Sequence, residues 1–159
     1  LDLEAIRRLH SLPQVLQMDE AHAMEHSLEV QLPFLQTVLG NFTLVPLAVG
    51  EMEPKDIAEV IEVLWGGPET RIVVSSDLSH YQDIQTATRL DRATAKAIEA
   101  LKPNDVGDER ACGRTPIRGL LHVARRHGLH ARTLDLRTSG DTAGPRDRVV
   151  GYGAFVFEE

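Results

Sequence analysis

RIVVSSDLSHY, residues 71–81, passes from a β-branched apolar run into two serines, an aspartate and, three residues later, a histidine. Ile72, Val73 and Val74 favour extended backbone, because branched side chains pack well on a pleated surface. A polar cluster directly after such a run marks the carboxyl end of a strand. In open α/β sheets ligands gather in the crevice outside those ends. Asp77 and His80 then leave the strand in a turn, where an i, i+3 pair can converge and offer a carboxylate oxygen beside an imidazole nitrogen. Such a pair can ligate a metal or exchange protons. The same residues admit a plainer reading, in which Ser76 or Asp77 caps the next helix and His80 satisfies a loop carbonyl.

Outward from this stretch, apolar strands alternate with amphipathic helices. Upstream, SLEVQLPFLQTVL (27–39) spaces Leu28, Leu32, Leu35, Val38 and Leu39 near helical intervals, predicting a helix capped by Ser27 and disturbed by Pro33. FTLVPLAV (42–49) predicts a strand. EPKDIAEVIEVLW then predicts a helix with Pro54 near its start and Ile57, Val60, Ile61 and Leu64 on one face, stopped by Gly66, Gly67 and Pro68. Downstream, TRLDRATAKAIEAL predicts a helix lined on one side by Leu90, Ala97, Ile98 and Leu101 and broken at KPND. PIRGLLHVARRHG predicts another, from Pro116 to Gly128, and ARTLDLRTS and VVGYGAFVF predict two strands. This order predicts a layered α/β fold, its sheet mainly parallel in the first part, with an antiparallel pair at the end. A substantial loop, TSGDTAGPRD, covers 138–147.

With 159 residues, 42% hydrophobic and 26% charged, the chain has the composition of a globular protein able to form a core as a single domain. No apolar run approaches the roughly 20 residues of a membrane helix, and LDLEAIRRLH lacks the pattern of a signal peptide, so a cytoplasmic location without membrane contact is expected. The net charge of −7, with Lys and Arg interspersed among acids, argues against nucleic acid as a partner. Cys112 is the single cysteine, which excludes an internal disulfide and a zinc ribbon. The chain opens on Leu rather than Met, as a piece of a longer protein would.

Three further stretches carry candidate chemistry. HAMEH (22–26) fits the H-x-x-E-H pattern of inverted zinc peptidases, with His22 and His26 one helical turn apart and Glu25 as a base; Glu25 and Ser27 equally suit the start of a helix. ACGRTPIRGLL (111–121) sets a thiol before Gly113, Arg114 and a helix start. Both the arginine and the helix N-terminus favour thiolate, so Cys112 is a candidate ligand or nucleophile, the alternative being a small buried residue. TSGDTAGP can cradle an anion with its amides or simply form turns. The histidines at 10, 122, 127 and 130 read as structural or solvent-facing.

EHSLEVQLPFL (25–35), SSDLSHY (75–81), ACGRTPI (111–117), TSGDTAG (138–144) and VVGYGAF (149–155), in this order and at these separations, resemble the Memo-like family, whose bacterial and archaeal members are protein B of the AmmeMemoRadiSam system. Memo-like proteins have a longer N-terminal part with a His-Ala-Gly-Tyr type motif and a further histidine, absent here. The chain therefore resembles the C-terminal portion of such a domain. The resemblance implies a three-layer α/β/α sandwich with a mostly parallel or mixed sheet, similar to the catalytic subunit of class III extradiol dioxygenases. Those enzymes hold non-haem iron with two histidines and a glutamate; in the Memo-like pattern the cysteine matching Cys112 stands in place of the carboxylate.

By the same resemblance Cys112 and His80 are metal ligands, to iron or copper with zinc also possible, His80 is the acid–base group and Asp77 orients it. Glu25, His26, Ser76, Arg114, Ser139 and Asp141 fall within the matching motifs and line or support the cleft. The implied partners are AMMECR1-like and radical SAM components, together with a small molecule or peptide in the cleft. Three functions follow as competing expectations: a dioxygenase-like metal protein, a non-catalytic protein- or peptide-binding module, and a zinc peptidase through His22, Glu25 and His26.

Overall fold

The computed structural model describes residues 1–107 and 111–159. Six α-helices occur among them: α1 (Leu3–Leu9), α2 (Asp19–Ala23), α3 (Leu32–Val38), α4 (Pro54–Leu64), α5 (Ile84–Glu99) and α6 (Arg114–Arg126). Three strands, β1 (His80–Gln82), β2 (His130–Thr138) and β3 (Val149–Glu158), form a sheet in the order β1-β3-β2. Both pairings are antiparallel.

The start of α5 and the end of α6 each have a local cause. Asp83 precedes α5 and accepts the Gln85 and Thr86 N–H groups at 3.0 and 3.1 Å. Those two donors would otherwise have no partner in the first turn. At the end of α6, Gly128 takes a left-handed conformation (φ 68°), so that Leu129 N–H reaches the Ala124 carbonyl at 2.9 Å and Gly128 N–H the Arg125 carbonyl at 3.4 Å. This 6→1 and 5→2 pairing satisfies carbonyls that the last turn leaves open.

The core lies between these elements in three connected clusters. Leu78, Ala97, Ile98, Val106, Ala111, Ile117 and Leu121 form the first, where α5 and α6 meet the sheet. Ile57, Ala58, Ile61, Leu120 and Val123 join α4 to α6, and Leu9, Leu12 and Val60 join the α1 region to α4. Val74 and Phe157 pack against both of the first two clusters and so bind them together. The chain start is anchored by Asp2, whose side chain caps α1 through Ala5 N–H at 2.9 Å while its own N–H donates to the Leu44 carbonyl.

The helices over 53–65, 88–101 and 116–128 and the terminal antiparallel pair form as the sequence predicts, except that α5 begins earlier, at Ile84, and α6 at Arg114. The parallel first part of the sheet does not appear. Residues 42–49 and 71–76 carry no strand assignment, and the pairing among the described residues is antiparallel throughout. Ile72 and Val74 are half-buried while Val73 is exposed, so the two-residue period is present. A ladder also needs a neighbouring backbone, and the bonds to β3 begin only at Leu78. Residues 27–39 do not form the single helix capped by Ser27 that the spacing predicts. A 3₁₀ turn (Glu29–Gln31) comes first, and α3 starts at Leu32 without a side-chain cap. Pro33 sits in its first turn, where its missing N–H leaves no bond unmade.

Candidate functional site

The ends of the segments 42–50 and 71–76 meet the start of α6. Gly113 N–H donates to the Ser76 hydroxyl at 2.8 Å, and the Arg114 guanidinium pairs with Glu51 at 2.7 Å. Glu51 follows the 42–50 segment and Ser76 ends the 71–76 segment, so both deliver their carboxyl ends to one place. That is the arrangement in which α/β proteins form crevices. Glycine is required at 113 by close approach, since a β-carbon there would lie 2.7 Å from the Ser76 Cβ and 3.0 Å from the Ser75 carbonyl oxygen.

This contact sets Cys112 beside the turn. Asp77 N–H donates to the Cys112 sulfur at 3.2 Å, and the Ser76 hydroxyl lies 3.6 Å from it. Cys112 is exposed, which overturns the reading of it as a small buried residue. The Asp77 carboxylate stands 3.6 Å from His80 Nε2, and both side chains are partly exposed. Helix capping falls to Asp83 and not to Ser76 or Asp77, so the plainer reading of this pair fails for its first half.

His80 opens β1 opposite Val150, and the residue after it is strained. Tyr81 adopts φ 59°, a left-handed conformation that costs a side-chain-bearing residue about 1–2 kcal/mol. The Arg148 guanidinium lies over the Tyr81 ring at 4.5 Å and the His80 ring meets it edge-on at 5.8 Å, holding it there.

The other predicted residues take different places. Ser139 and Asp141 organise the 138–147 loop. Asp141 accepts the Thr138 N–H and hydroxyl at 2.8 and 2.9 Å, and the backbone bond to Thr138 holds its carboxyl below the usual range. The Ser139 hydroxyl accepts Val150 N–H at 3.1 Å, which ties the loop to the strand residue facing His80. The loop does not cradle an anion with its amides at 142–144, because all three point back to the Ser139 carbonyl. Glu25 accepts the Ser27 N–H at 2.7 Å, which lowers its pKa, and His26 faces Glu29 in solvent at 3.8 Å. The zinc peptidase expectation is overturned here. Helix α2 ends at Ala23, so His22 and His26 do not share a helical turn.

Three participants escaped the sequence reading. Gln31 donates to the Ser75 hydroxyl at 2.9 Å, bringing the EHSLEVQLPFL stretch to the site through its glutamine. Glu51 pairs with Arg114, with no local signal to mark it. Asp91 lies buried on α5 and accepts Ser79 N–H at 2.9 Å; desolvation pushes its carboxyl upward, opposed by that bond. A signal for Asp91 did exist, because it occupies the same helical stripe as Ala87, Thr94 and Ile98.

A model of the Memo-like protein family matches residues 1–156. The chain belongs to the Memo-like family. A MEMO1 family protein of Saccharolobus islandicus is 36% identical over 172 aligned residues, covering 99% of this chain and 60% of the relative. One from Sulfolobus acidocaldarius is 35% identical, covering 96% and 58%, and one from Metallosphaera sedula 32% identical, covering 100% and 61%. This Memo-like chain thus spans about 60% of the length of the curated relatives it matches. No helix among its described residues is long and apolar enough to cross a membrane.

Proposed function

We propose that this Memo-like chain carries part of a metal-binding cleft, built on a three-layer sandwich like that of class III extradiol dioxygenases, and that the complete protein uses it for redox chemistry on a small molecule in the cytoplasm. The observation that supports the reading is that the Asp77 N–H reaches the exposed Cys112 sulfur at 3.2 Å while the Asp77 carboxylate stands 3.6 Å from His80 Nε2. A thiol and an imidazole are both ligand types that suit iron, copper or zinc. The donors present do not make a closed centre. Among the described residues no three His, Cys, Asp or Glu side chains group so as to hold a metal ion. Cys112 and His80 are therefore proposed as two of its ligands, the rest coming from outside residues 1–159, and Asp77 orients the imidazole. The relatives' greater length leaves room for such ligands.

The test is elemental analysis after anaerobic purification of this chain and of a full-length relative, each with alanine at the Cys112 and His80 positions as controls. Near-stoichiometric iron, copper or zinc in the longer protein, lost on replacing the cysteine, is the expected result. No metal in any form after reconstitution would sink the reading.

A second reading has its own observation. Val30, Phe34 and Val38 on and before α3 are exposed, Phe34 at 72% and Val38 at 75%. An apolar surface of this kind suits a protein contact, and AMMECR1-like or radical SAM components are the partners this second reading proposes.

A further inference from the structure

Helix α5 carries a carboxyl group into the protein interior. Asp91 is 1% exposed, and its Oδ1 accepts the backbone N–H of Ser79 at 2.9 Å. Its Oδ2 and the Ser79 hydroxyl are both buried without a hydrogen-bond partner. Burying a carboxyl is costly, and an apolar side chain of similar size would fill the volume better. What the apolar side chain lacks is an acceptor for Ser79 N–H, which lies between Asp77 and His80 in the site turn. Strand β3 closes over the same carboxyl from the other side. Leu78 N–H donates to the Gly151 carbonyl at 2.9 Å and Gly151 N–H donates to the Ser79 carbonyl at 2.8 Å. The Asp91 carboxyl occupies the space that a β-carbon on residue 151 would take.

We propose that Asp91 is a positioning residue of the candidate site: it grips Ser79 and so fixes the turn bearing Asp77 and His80, and residue 151 is glycine to admit its carboxyl. The proposal rests on the reading that this turn is the site. It also accounts for the first glycine of the VVGYGAF stretch by a single close approach, at the strand that holds the turn from the other side. Asp91 makes its hydrogen bond to Ser79, and it positions the turn through that bond.

The test is residue-resolved native-state amide exchange by NMR on the full chain, comparing Asp91→Ala, Asp91→Asn and Gly151→Ala. The informative amide is that of Asp77, which bonds to the Cys112 sulfur and not to Asp91. In Asp91→Ala its exchange is expected to accelerate about tenfold or more along with that of Ser79, while Leu121 and Val123 in α6 keep their protection. Asp91→Asn, whose amide oxygen still accepts from Ser79, is expected to restore Asp77 to within about threefold of the parent. Gly151→Ala is expected to reproduce the acceleration with the carboxyl still present. In the Asp91→Ala background it should add little, because the obstruction is gone. If Asp91→Ala does not fold, the Asn and Gly151→Ala variants carry the same comparison. Acceleration spread evenly over the chain, or an Asp77 amide unmoved in Asp91→Ala and Gly151→Ala, overturns the positioning role. Amide exchange needs no metal, so a failure of metal binding in every form leaves this result standing.

Discussion

A β-carbon on Gly113 would press on the Ser76 side chain and, at 3.0 Å, on the Ser75 carbonyl oxygen, which is backbone and yields little. Gly113→Ala is therefore expected to cost about 1–3 kcal/mol, read as a lower urea midpoint, and to weaken the Asp77 N–H bond to Cys112. An unchanged midpoint would mean that the 75–76 segment is free to shift. Cys112, Asp77 and His80 were legible in the sequence because each stands out from its neighbours in type: a lone thiol, and a polar pair after a β-branched run. Glu51 and Gln31 were not, since an exposed acid and a glutamine carry no mark until the fold brings Arg114 and Ser75 to them.

Among the elements, α6 bears two testable features. Gly128 closes it in a left-handed conformation, so Gly128→Ala is expected to destabilise by about 1 kcal/mol, seen as a lower melting temperature with the site unaltered. The end of α6 is also tied to α4. His127 stacks on Trp65 at 4.3 Å and reaches Glu62 at 2.9 Å, while Arg126 meets the other Glu62 oxygen at 3.4 Å. The His127 bond, followed by its charge and that of Arg126, holds the Glu62 carboxyl below its ordinary range. A depressed acid stabilises the fold above its unfolded pKa and loses that contribution as pH falls through its folded pKa. Urea midpoints between about pH 6 and about pH 3 should fall more steeply for the parent than for Glu62→Gln. Equal slopes would show that the pair does not contribute. The helices were legible because apolar spacing and the Asp83 and Gly128 signals are local. The strands predicted over 42–49 and 71–76 were only half legible: their residue types favour extended backbone, but pairing depends on a neighbour the local sequence does not name.

For the molecule as a whole, the apolar side chains left outside the core are the main departure from an ordinary surface. Val30, Phe34, Val38, Leu39 and Val73 are exposed together with Met18 and Met24. Replacing Phe34 and Val38 with Ser is expected to reduce binding of an apolar fluorescent dye and any self-association, with stability unchanged within about 0.5 kcal/mol for each. A matching loss of stability would instead place these residues in the working core. Local sequence was enough to fix the family, through five short stretches in order, and the positions of the long helices, because motif identity and helical period are properties of neighbouring residues. It also specified the terminal antiparallel pair, whose two strands are separated by a single loop. The folded chain alone set the end of α2 between His22 and His26, the turn of the 142–144 amides onto the Ser139 carbonyl, and the seating of Asp91 beneath Gly151. The first two depend on the exact residue at which the chain reverses, which a short pattern of residue types leaves open. The third is packing between segments distant in sequence, which no local pattern encodes.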